Sequence, residues 1–215
     1  MSTQLVSIPV DGVQMEGRLE LSADATGIVI FSHGGGSTRH SPRNNFVAKI
    51  LHSHGVGTLL LDLLTLVENL DYQTRFDTHL LTQRLLMATR WVRQHTPPTR
   101  PLPMGYFGSS TGAAAALQAA AVLGEDIHAV VSRGGRPDLA GTHDLTLVHC
   151  PTLLLVGEHD EEVRELNHVA YTRLSCTKEL SVIPGASHLF EEAGALEEVA
   201  RQSAHWFGQH LSPEP

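Results

Sequence analysis

Apolar and polar residues alternate along the first part of the chain. Between residues 14 and 21 every second position is apolar or glycine, which is typical of a strand with one exposed face. The apolar-rich segment 4–10 precedes it, and the dipeptide Asp11-Gly12 between them favours a tight turn. These residues predict an antiparallel hairpin at the N-terminus.

The pattern then changes to short, continuous apolar runs. Runs of this kind are expected of strands that are buried on both faces of a parallel sheet. They lie at residues 28–31, 59–61, 106–107, 129–131, 153–156 and 180–183.

Sequences with a helical period lie between these runs. Apolar residues fall on one helical stripe within 76–92, 163–174 and 196–211. Strands that alternate with helices after an N-terminal hairpin predict an α/β fold: a mostly parallel sheet of about eight strands with helices on both faces. In such sheets, functional residues lie on loops at the carboxyl ends of the strands.

The composition is compatible with one folded unit. A chain of 215 residues that is 41% hydrophobic can bury a single core, and we expect one domain over residues 1–215. The proline-rich stretch 96–103 lies between strongly patterned segments. It therefore predicts a stiff loop from a helix to a strand rather than a linker between domains.

Charge and cysteine content exclude several classes of function. The formal net charge is -8 and no block of Lys or Arg occurs, so we expect no binding to nucleic acid or to an anionic membrane. The N-terminus has no secretory pattern, and no apolar segment is long enough to span a bilayer. Two cysteines without a CxxC spacing indicate thiols in a reducing compartment. We therefore expect a cytoplasmic protein.

A serine motif follows the predicted strand at 104–107. It is Gly108-Ser109-Ser110-Thr111-Gly112, a G-x-S-x-G sequence before an alanine-rich helical segment. In this context the glycines permit a turn so sharp that the central hydroxyl is exposed as a nucleophile. The same sequence also occurs by chance as a structural loop. We predict Ser110 as the nucleophile, whereas Ser109 lies one position off the motif.

A glycine run follows the predicted strand at 28–31. It is His33-Gly34-Gly35-Gly36-Ser37, and glycines let backbone N–H groups approach a substrate oxygen without interference from Cβ. We predict an oxyanion hole formed by the N–H groups of Gly35 and Thr111, with Gly34 as the next choice. A phosphate-binding loop is disfavoured because no Gly-Lys-Ser or Gly-Lys-Thr follows.

Acidic residues follow the predicted strand at 153–156. An acid at a strand end can hydrogen-bond a histidine and orient its ring, and we favour Asp160 for this role. A structural role is the alternative, because acids are favourable at the start of a helix. Other acids that stay open are Glu158, Glu161, Glu162, Asp138 and Asp144.

A histidine follows the last predicted strand, in the sequence Gly185-Ala186-Ser187-His188. We predict His188 as the general base because a loop at this strand end can reach the serine. The chain holds 14 histidines, so one histidine alone is weak support. None of them shows the helical spacing of a metal site, and we expect neither a metal nor a cofactor.

The four motifs occur in the order glycine run, serine, aspartate, histidine, each after a predicted strand. This order is similar to that of α/β-hydrolases, and the chain resembles their dienelactone-hydrolase-like branch over nearly its whole length. The stretch 132–138 also resembles uncharacterised members of that branch. One departure is Ser110, because dienelactone hydrolases use a cysteine at this position. The resemblance therefore implies a general carboxylesterase rather than an enzyme for dienelactone.

The expected function is a serine hydrolase that cleaves small carboxylic esters through an acyl-enzyme. A thioesterase or acyltransferase would use the same residues, and a non-catalytic binding module on this scaffold is a further alternative. The partner expected is a small-molecule ester, and the oligomeric state, a homodimer included, stays open. About twenty residues separate the strands at 129–131 and 153–156, which is too few for a lid domain.

Substrate contacts are predicted from polar residues near the strand ends. Arg133 or Arg136 is expected to pair with a substrate carboxylate, as a planar guanidinium can. The alternative is a surface arginine paired with Asp138. Arg39 and His40, which follow the glycine run, are expected on the opposite wall of the site.

Overall fold

One mixed sheet runs through the protein. The computed structural model describes residues 2–96 and 102–211, and eight strands in these residues join the sheet. The strands are β1 (Ser2–Val10), β2 (Val13–Leu21), β3 (Gly27–Ser32), β4 (Val56–Leu61), β5 (Met104–Ser109), β6 (Ala129–Arg133), β7 (Thr152–Gly157) and β8 (Lys178–Ile183). Each of them contains a run that the sequence predicts as a strand.

The strand order is β1-β2-β4-β3-β5-β6-β7-β8. β1 and β2 form the predicted antiparallel hairpin, and β2 joins the rest of the sheet antiparallel to β4. Every other neighbouring pair is parallel. The predicted α/β-hydrolase architecture, a mostly parallel sheet with an N-terminal hairpin, is confirmed.

Helices cover both faces of the sheet. They are α1 (Pro42–Ser53), α2 (Tyr72–Arg75), α3 (Thr78–His95), α4 (Thr111–Leu123), α5 (Thr142–Leu147), α6 (Glu161–Arg173) and α7 (Ala195–His210). Phe31 packs in a buried cluster with α1 and α7, whereas its neighbour Ile30 packs in a second cluster with α3 and α4. This alternation follows from the two-residue period of a strand. No helix in the described residues has the length and apolarity needed to cross a membrane.

The connection between β6 and β7 is short. It holds a 3₁₀ turn at Pro137–Ala140 and the six-residue α5, so no lid domain is inserted there, as predicted. The predicted proline-rich loop is described only at its ends, because residues 97–101 lie outside the described residues.

The helical stripe predicted from residue 76 begins too early. α3 starts at Thr78 because the Asp77 carboxylate accepts a hydrogen bond from the Leu80 N–H at 2.9 Å and caps the helix. Phe76 lies outside α3, at the end of the one-turn α2, and is 43% exposed. The prediction that Phe76 belongs to the apolar stripe of this helix is wrong.

The carboxyl ends of the parallel strands lie along one edge of the sheet. They are Ser32 of β3, Ser109 of β5, Arg133 of β6, Gly157 of β7 and Ile183 of β8. Register brings Ser32 beside Gly108, and Ser109 beside Arg133. Each motif found in the sequence therefore leaves the sheet at this edge, where ligand sites of open α/β sheets are found.

Candidate active site

Ser110 lies in the turn between β5 and α4 and has a strained backbone. Its φ of 51° and ψ of -125° fall in a region that residues with a Cβ rarely occupy. Strain of this kind costs about 1–3 kcal/mol and persists where the surroundings enforce it. Two hydrogen bonds enforce the conformation of Ser110. Its carbonyl accepts them from the N–H groups of Ala113 in α4 and Arg136 on the loop after β6, both at 3.1 Å.

The two glycines of the serine motif are required by close backbone contacts. A Cβ at Gly108 would lie 2.5 Å from Ala113 Cα, and a Cβ at Gly112 would overlap the Ser32 carbonyl oxygen. The turn therefore packs directly against the end of β3, which begins the glycine run. Glycine at both positions thus permits the sharp turn that the sequence predicts, and the close packing holds Ser110 beside the glycine run.

His188 and Asp160 form a hydrogen-bonded pair. His188 Nδ1 lies 2.5 Å from Asp160 Oδ2, which places a ring proton on Nδ1 and leaves Nε2 free to accept a proton. The Asp160 side chain is 14% exposed and the His188 side chain 40%. The two loops that carry them are joined by a hydrogen bond from the His159 N–H to the Ala186 carbonyl at 2.9 Å.

The other acids near the strand ends do not contact His188. Glu158 instead accepts a hydrogen bond from the Gly185 N–H at 2.7 Å. Asp160 is the N-cap residue of α6 but makes no capping hydrogen bond with its side chain, which leaves its carboxylate to His188. The remaining acids, which pair with an arginine or lie in the first turn of a helix, are Asp138, Glu161, Glu162 and Asp144.

Backbone donors lie beside Ser110. A Cβ at Gly34 would lie 2.8 Å from Ser110 Cβ, so the glycine run packs directly against the serine. Thr111 is the first residue of α4, where an N–H has no acceptor within the helix. The Gly35 N–H donates to Thr111 Oγ1 at 3.0 Å, so this predicted donor is engaged by a hydroxyl next to the serine.

A pocket of about 470 Å³ lies at Ser110. Its lining includes Ser110, His188 and the glycine run 34–36. Asp160 lies outside this lining and reaches the pocket through His188. The structure thus brings together, in one place, three chain segments that are far apart in sequence.

The predicted substrate contacts separate into two groups. Arg133 and His40 line the pocket, and Arg133 is only 9% exposed. Arg39 is not among the lining residues, because its guanidinium is ion-paired with Asp62 on the loop after β4. Arg136 is also outside the lining and pairs at 2.7 Å with the acid two residues further on.

Sequence reasoning did not single out Arg43, which also lines the pocket. It lies in the first turn of α1, after the N-cap Ser41 and Pro42. The pair Ser-Pro is a helix-start pattern, and it follows the glycine run closely in the sequence. This pattern could have placed Arg43 near the site.

Within the described residues, neither a metal-binding group nor a cysteine lies at the pocket. Among residues 2–96 and 102–211, no group of three or more His, Cys, Asp or Glu is arranged to hold a metal. Neither cysteine lines the pocket. Cys150 is buried, and burial raises the pKa of its thiol to about 12, so it stays protonated at neutral pH.

The fold is shared with solved esterase structures. Est1E from Butyrivibrio proteoclasticus is 16% identical, and the match covers 95% of this chain and 98% of that one with a TM-score of 0.80. An esterase from an Arctic intertidal metagenomic library is 20% identical, covers 98% and 94%, and has a TM-score of 0.79. At these identities the similarity shows the α/β-hydrolase fold alone.

A further solved structure is much more similar. Dienelactone hydrolase from Anabaena variabilis is 50% identical, covers 98% of both chains and has a TM-score of 0.92. This chain therefore belongs to the dienelactone-hydrolase branch of the α/β-hydrolase family. No family model matches the chain. The similarity to this dienelactone hydrolase supports a hydrolase.

Two curated proteins of Mycobacterium tuberculosis, from strains CDC 1551 and H37Rv, are also similar. Each is 49% identical over 206 residues, which is 96% of this chain. The chain spans 46%, or about half, of the length of these two relatives. Both carry a provisional name, phosphoribosyl transferase, which describes those longer proteins.

Proposed function

We propose that the protein is a serine esterase that cleaves small carboxylic esters through an acyl-enzyme intermediate. One observation carries this proposal. Ser110 lies on a strained turn and lines the same pocket as His188, whose Nδ1 is hydrogen-bonded to Asp160 at 2.5 Å. A nucleophile, a base and a group that orients the base are the parts that acyl transfer needs.

The first half of the reaction transfers the acyl group to the enzyme. Ser110 Oγ attacks the ester carbonyl carbon while His188 Nε2 takes the hydroxyl proton. Asp160 keeps the ring proton on Nδ1 and stabilises the imidazolium. When the tetrahedral intermediate collapses, His188 gives its proton to the leaving alkoxide, so that a neutral alcohol departs.

The second half releases the acid. His188 Nε2 removes a proton from a water molecule, which attacks the acyl-enzyme carbonyl. The tetrahedral intermediate expels Ser110 Oγ, which takes the proton back from His188. The carboxylic acid leaves, and the serine and histidine return to their starting protonation states.

Backbone N–H groups stabilise the oxyanion that forms in both halves. The Thr111 N–H is one donor, because it begins α4 and has no partner within the helix. The Gly35 N–H becomes the second donor when it exchanges the Thr111 hydroxyl for the oxyanion. Gly34, which packs against Ser110, is the next candidate. One such donor contributes about 3–4 kcal/mol to the transition state.

Labelling with a fluorophosphonate probe tests the proposal directly. The wild type should be labelled and should hydrolyse p-nitrophenyl esters with short acyl chains, and Ser110→Ala should do neither. A folded wild-type protein that is neither labelled nor active would favour a non-catalytic binding module. A parallel series of thioesters of the same acids compares the esterase with a thioesterase, and faster turnover of the thioesters would reassign the substrate class.

A further inference from the structure

The glycine run is held by two parts of the chain. The serine turn is one of them, because a Cβ at Gly34 would lie 2.8 Å from Ser110 Cβ. The other is the connection between β4 and α3, residues 62–77, which contacts Gly35 and Gly36. The position of the predicted oxyanion donors therefore depends on residues that lie far from both motifs in the sequence.

Asn69, on this connection, holds the run at Gly36. The Gly36 N–H donates to Asn69 Oδ1 at 3.0 Å, and Gly36 has a φ of 80°, in the left-handed region. Three consecutive glycines have little conformational preference of their own. Inside the run, one turn is closed by a hydrogen bond from the Ser37 N–H to the Gly34 carbonyl at 3.1 Å. The orientation of this turn relative to the serine is therefore fixed by contacts from outside the run, such as the bond to Asn69.

Arg75 of α2 contacts both Asn69 and the glycine run. A Cβ at Gly35 would lie 2.7 Å from Arg75 Cβ, so Arg75 packs directly on the run. Arg75 Nε also donates to the Asn69 carbonyl oxygen at 2.5 Å. The backbone of Asn69 is thus bonded to Arg75 while its side chain is bonded to Gly36, and neither group is left free to turn away.

An ion pair anchors the 3₁₀ turn that carries Asn69. Glu68, the preceding residue, pairs with Arg84 of α3 at 2.5 Å, and Arg84 is 4% exposed. Glu68 also accepts a hydrogen bond from the Thr65 N–H at 2.8 Å. The hydrogen bonds from Arg84 lower the pKa of Glu68 to about 2, so the pair is ionised at neutral pH. Through Glu68, the position of Asn69 is tied to α3.

Burial of apolar side chains does not explain the position of this turn. Its three large apolar side chains are each at least 77% exposed: Leu66, Val67 and Leu70. The hydrogen bonds of Glu68 and Asn69 hold the turn instead. Hydrogen bonds depend on direction, whereas the hydrophobic effect does not. A turn held in this way is suited to fixing the orientation of its neighbour, the glycine run.

We infer that Asn69 is a positioning residue for the oxyanion hole. By fixing Gly36, its side-chain oxygen holds the adjacent Gly35 N–H beside Ser110, where the oxyanion forms. This inference rests on the proposed esterase function. Asn69 does not line the Ser110 pocket, so it acts through the glycine run and not on the substrate. Such a residue matters because the donors of an oxyanion hole stabilise the transition state only if they are oriented before the reaction.

Two substitutions of similar shape test the inference with p-nitrophenyl butyrate. Asn69→Leu removes the acceptor of the Gly36 N–H, and it should lower kcat about 10- to 100-fold, the range expected for a misplaced catalytic group. KM should change less than about threefold, because the oxyanion exists in the transition state and not in the bound ester. Asn69→Asp keeps an acceptor oxygen and should stay within about fivefold of the wild-type kcat. Equal losses of kcat in the two variants would overturn the inference.

A transition-state analogue separates positioning from a loss of folded protein. A trifluoromethyl ketone with a propyl chain forms a hemiketal with the serine, and the oxyanion of this adduct occupies the hole. Its Ki should rise in Asn69→Leu by the same factor by which kcat/KM falls. If part of the Asn69→Leu protein were merely unfolded, kcat would fall while Ki stayed at the wild-type value, and that result would overturn the inference.

Asp71→Ala is the matched control. Asp71 lies on the same connection and caps α2 by accepting a hydrogen bond from the Thr74 N–H at 2.7 Å. The variant therefore also loses a hydrogen bond between a side chain and the backbone, but one that stays within α2. Its kcat and Ki should stay within about threefold of the wild type. A loss as large as that of Asn69→Leu would show that any loosening of the connection suffices, and the specific role of Asn69 would be overturned.

Amide hydrogen exchange at Gly36 separates this inference from the proposed function, because it needs no substrate. Exchange of the Gly36 N–H, followed by NMR, should be at least about tenfold faster in Asn69→Leu than in the wild type. If it is faster but the wild type hydrolyses no ester, Asn69 holds the glycine run and the esterase fails. If the wild type hydrolyses butyrate and Asn69→Leu matches it in kcat and Ki, the esterase stands and the positioning role is overturned. Equal exchange in both proteins would also overturn it.

Discussion

The serine side and the arginine side of the pocket are built differently. On the serine side, the groups that must hold their positions have partners: the Ser110 carbonyl accepts two N–H groups, and His188 Nδ1 is paired with Asp160. On the arginine side, Arg133 is 9% exposed, and its buried Nη1 has no hydrogen-bond partner among the described residues. The serine side is therefore held by contacts that the chain itself supplies, whereas a buried donor on the arginine side has no such contact among the described residues.

The largest expected effect is on the serine side. Ser110→Ala should lower kcat for ester hydrolysis by roughly 10⁴- to 10⁶-fold, because it removes the only nucleophile of the proposed reaction. Steady-state kinetics with p-nitrophenyl butyrate measure the loss. Ser109→Ala, at the neighbouring position, should stay within about tenfold of the wild type. A Ser110→Ala enzyme that retains most of its activity would show that Ser110 is not the nucleophile.

The next effect concerns the partner of His188. Asp160→Asn should lower kcat by roughly 10³- to 10⁴-fold, because an amide stabilises the wrong tautomer of the imidazole and no imidazolium. Glu158→Gln is the control, since Glu158 bonds to the Gly185 N–H rather than to His188. If Glu158→Gln lost more activity than Asp160→Asn, the orienting acid would have to be reassigned.

A smaller effect is expected in the pH dependence of stability, from His33 behind the arginine side. His33 is buried, its Nδ1 lies 2.6 Å from Asn44 Nδ2, and burial together with the charge of Arg133 lowers its pKa from 6.5 to about 3. The unfolded chain binds this proton below pH 6.5 and the folded protein does not. Stability is therefore retained above pH 6.5 and lost as the pH falls toward 3.

Thermal unfolding between pH 7 and pH 4 checks this expectation. The Tm of the wild type should fall with pH across this range, and His33→Gln should reduce the slope because glutamine does not titrate. His205→Gln, at an exposed position on α7, should leave the slope as it is in the wild type. Identical slopes for His33→Gln and the wild type would show that His33 is not the group responsible.

The smallest effect is expected at the rim. Glu191→Gln removes the carboxylate that lies 3.0 Å from Arg43, and an exposed ion pair of this kind contributes about 0–1 kcal/mol. The variant should leave Tm nearly unchanged and change KM for p-nitrophenyl butyrate by no more than about threefold, because the pair is exposed at the rim of the pocket. A larger increase in KM would indicate that Glu191 itself takes part in binding.

Much of the fold and of the serine side could be predicted from the sequence. The strands follow from short apolar runs, and the serine motif follows from residues adjacent in the chain. The collision at Gly108, with Ala113, is local, whereas the collision at Gly112 is with Ser32 of β3. The exception is also local in origin. The Asp77 side chain caps α3, so the helix begins at Thr78 and Phe76 is left outside it. At this end of the helix, one capping hydrogen bond outweighs the periodicity of the apolar residues.

The sequence by itself determined which residues leave the carboxyl edge of the sheet, because neighbouring residues specify where each strand ends and which turn follows it. Only the tertiary structure decided which charges meet. It paired Asp160 with His188 and Glu158 with Gly185, and it neutralised Arg39 and Arg136. In the pocket, by contrast, Arg133 keeps a buried Nη1 that has no partner in the part of the chain that the structure describes. The physical reason is that a charge interacts with whatever lies within a few ångströms, and such neighbours come from loops whose packing no local pattern encodes.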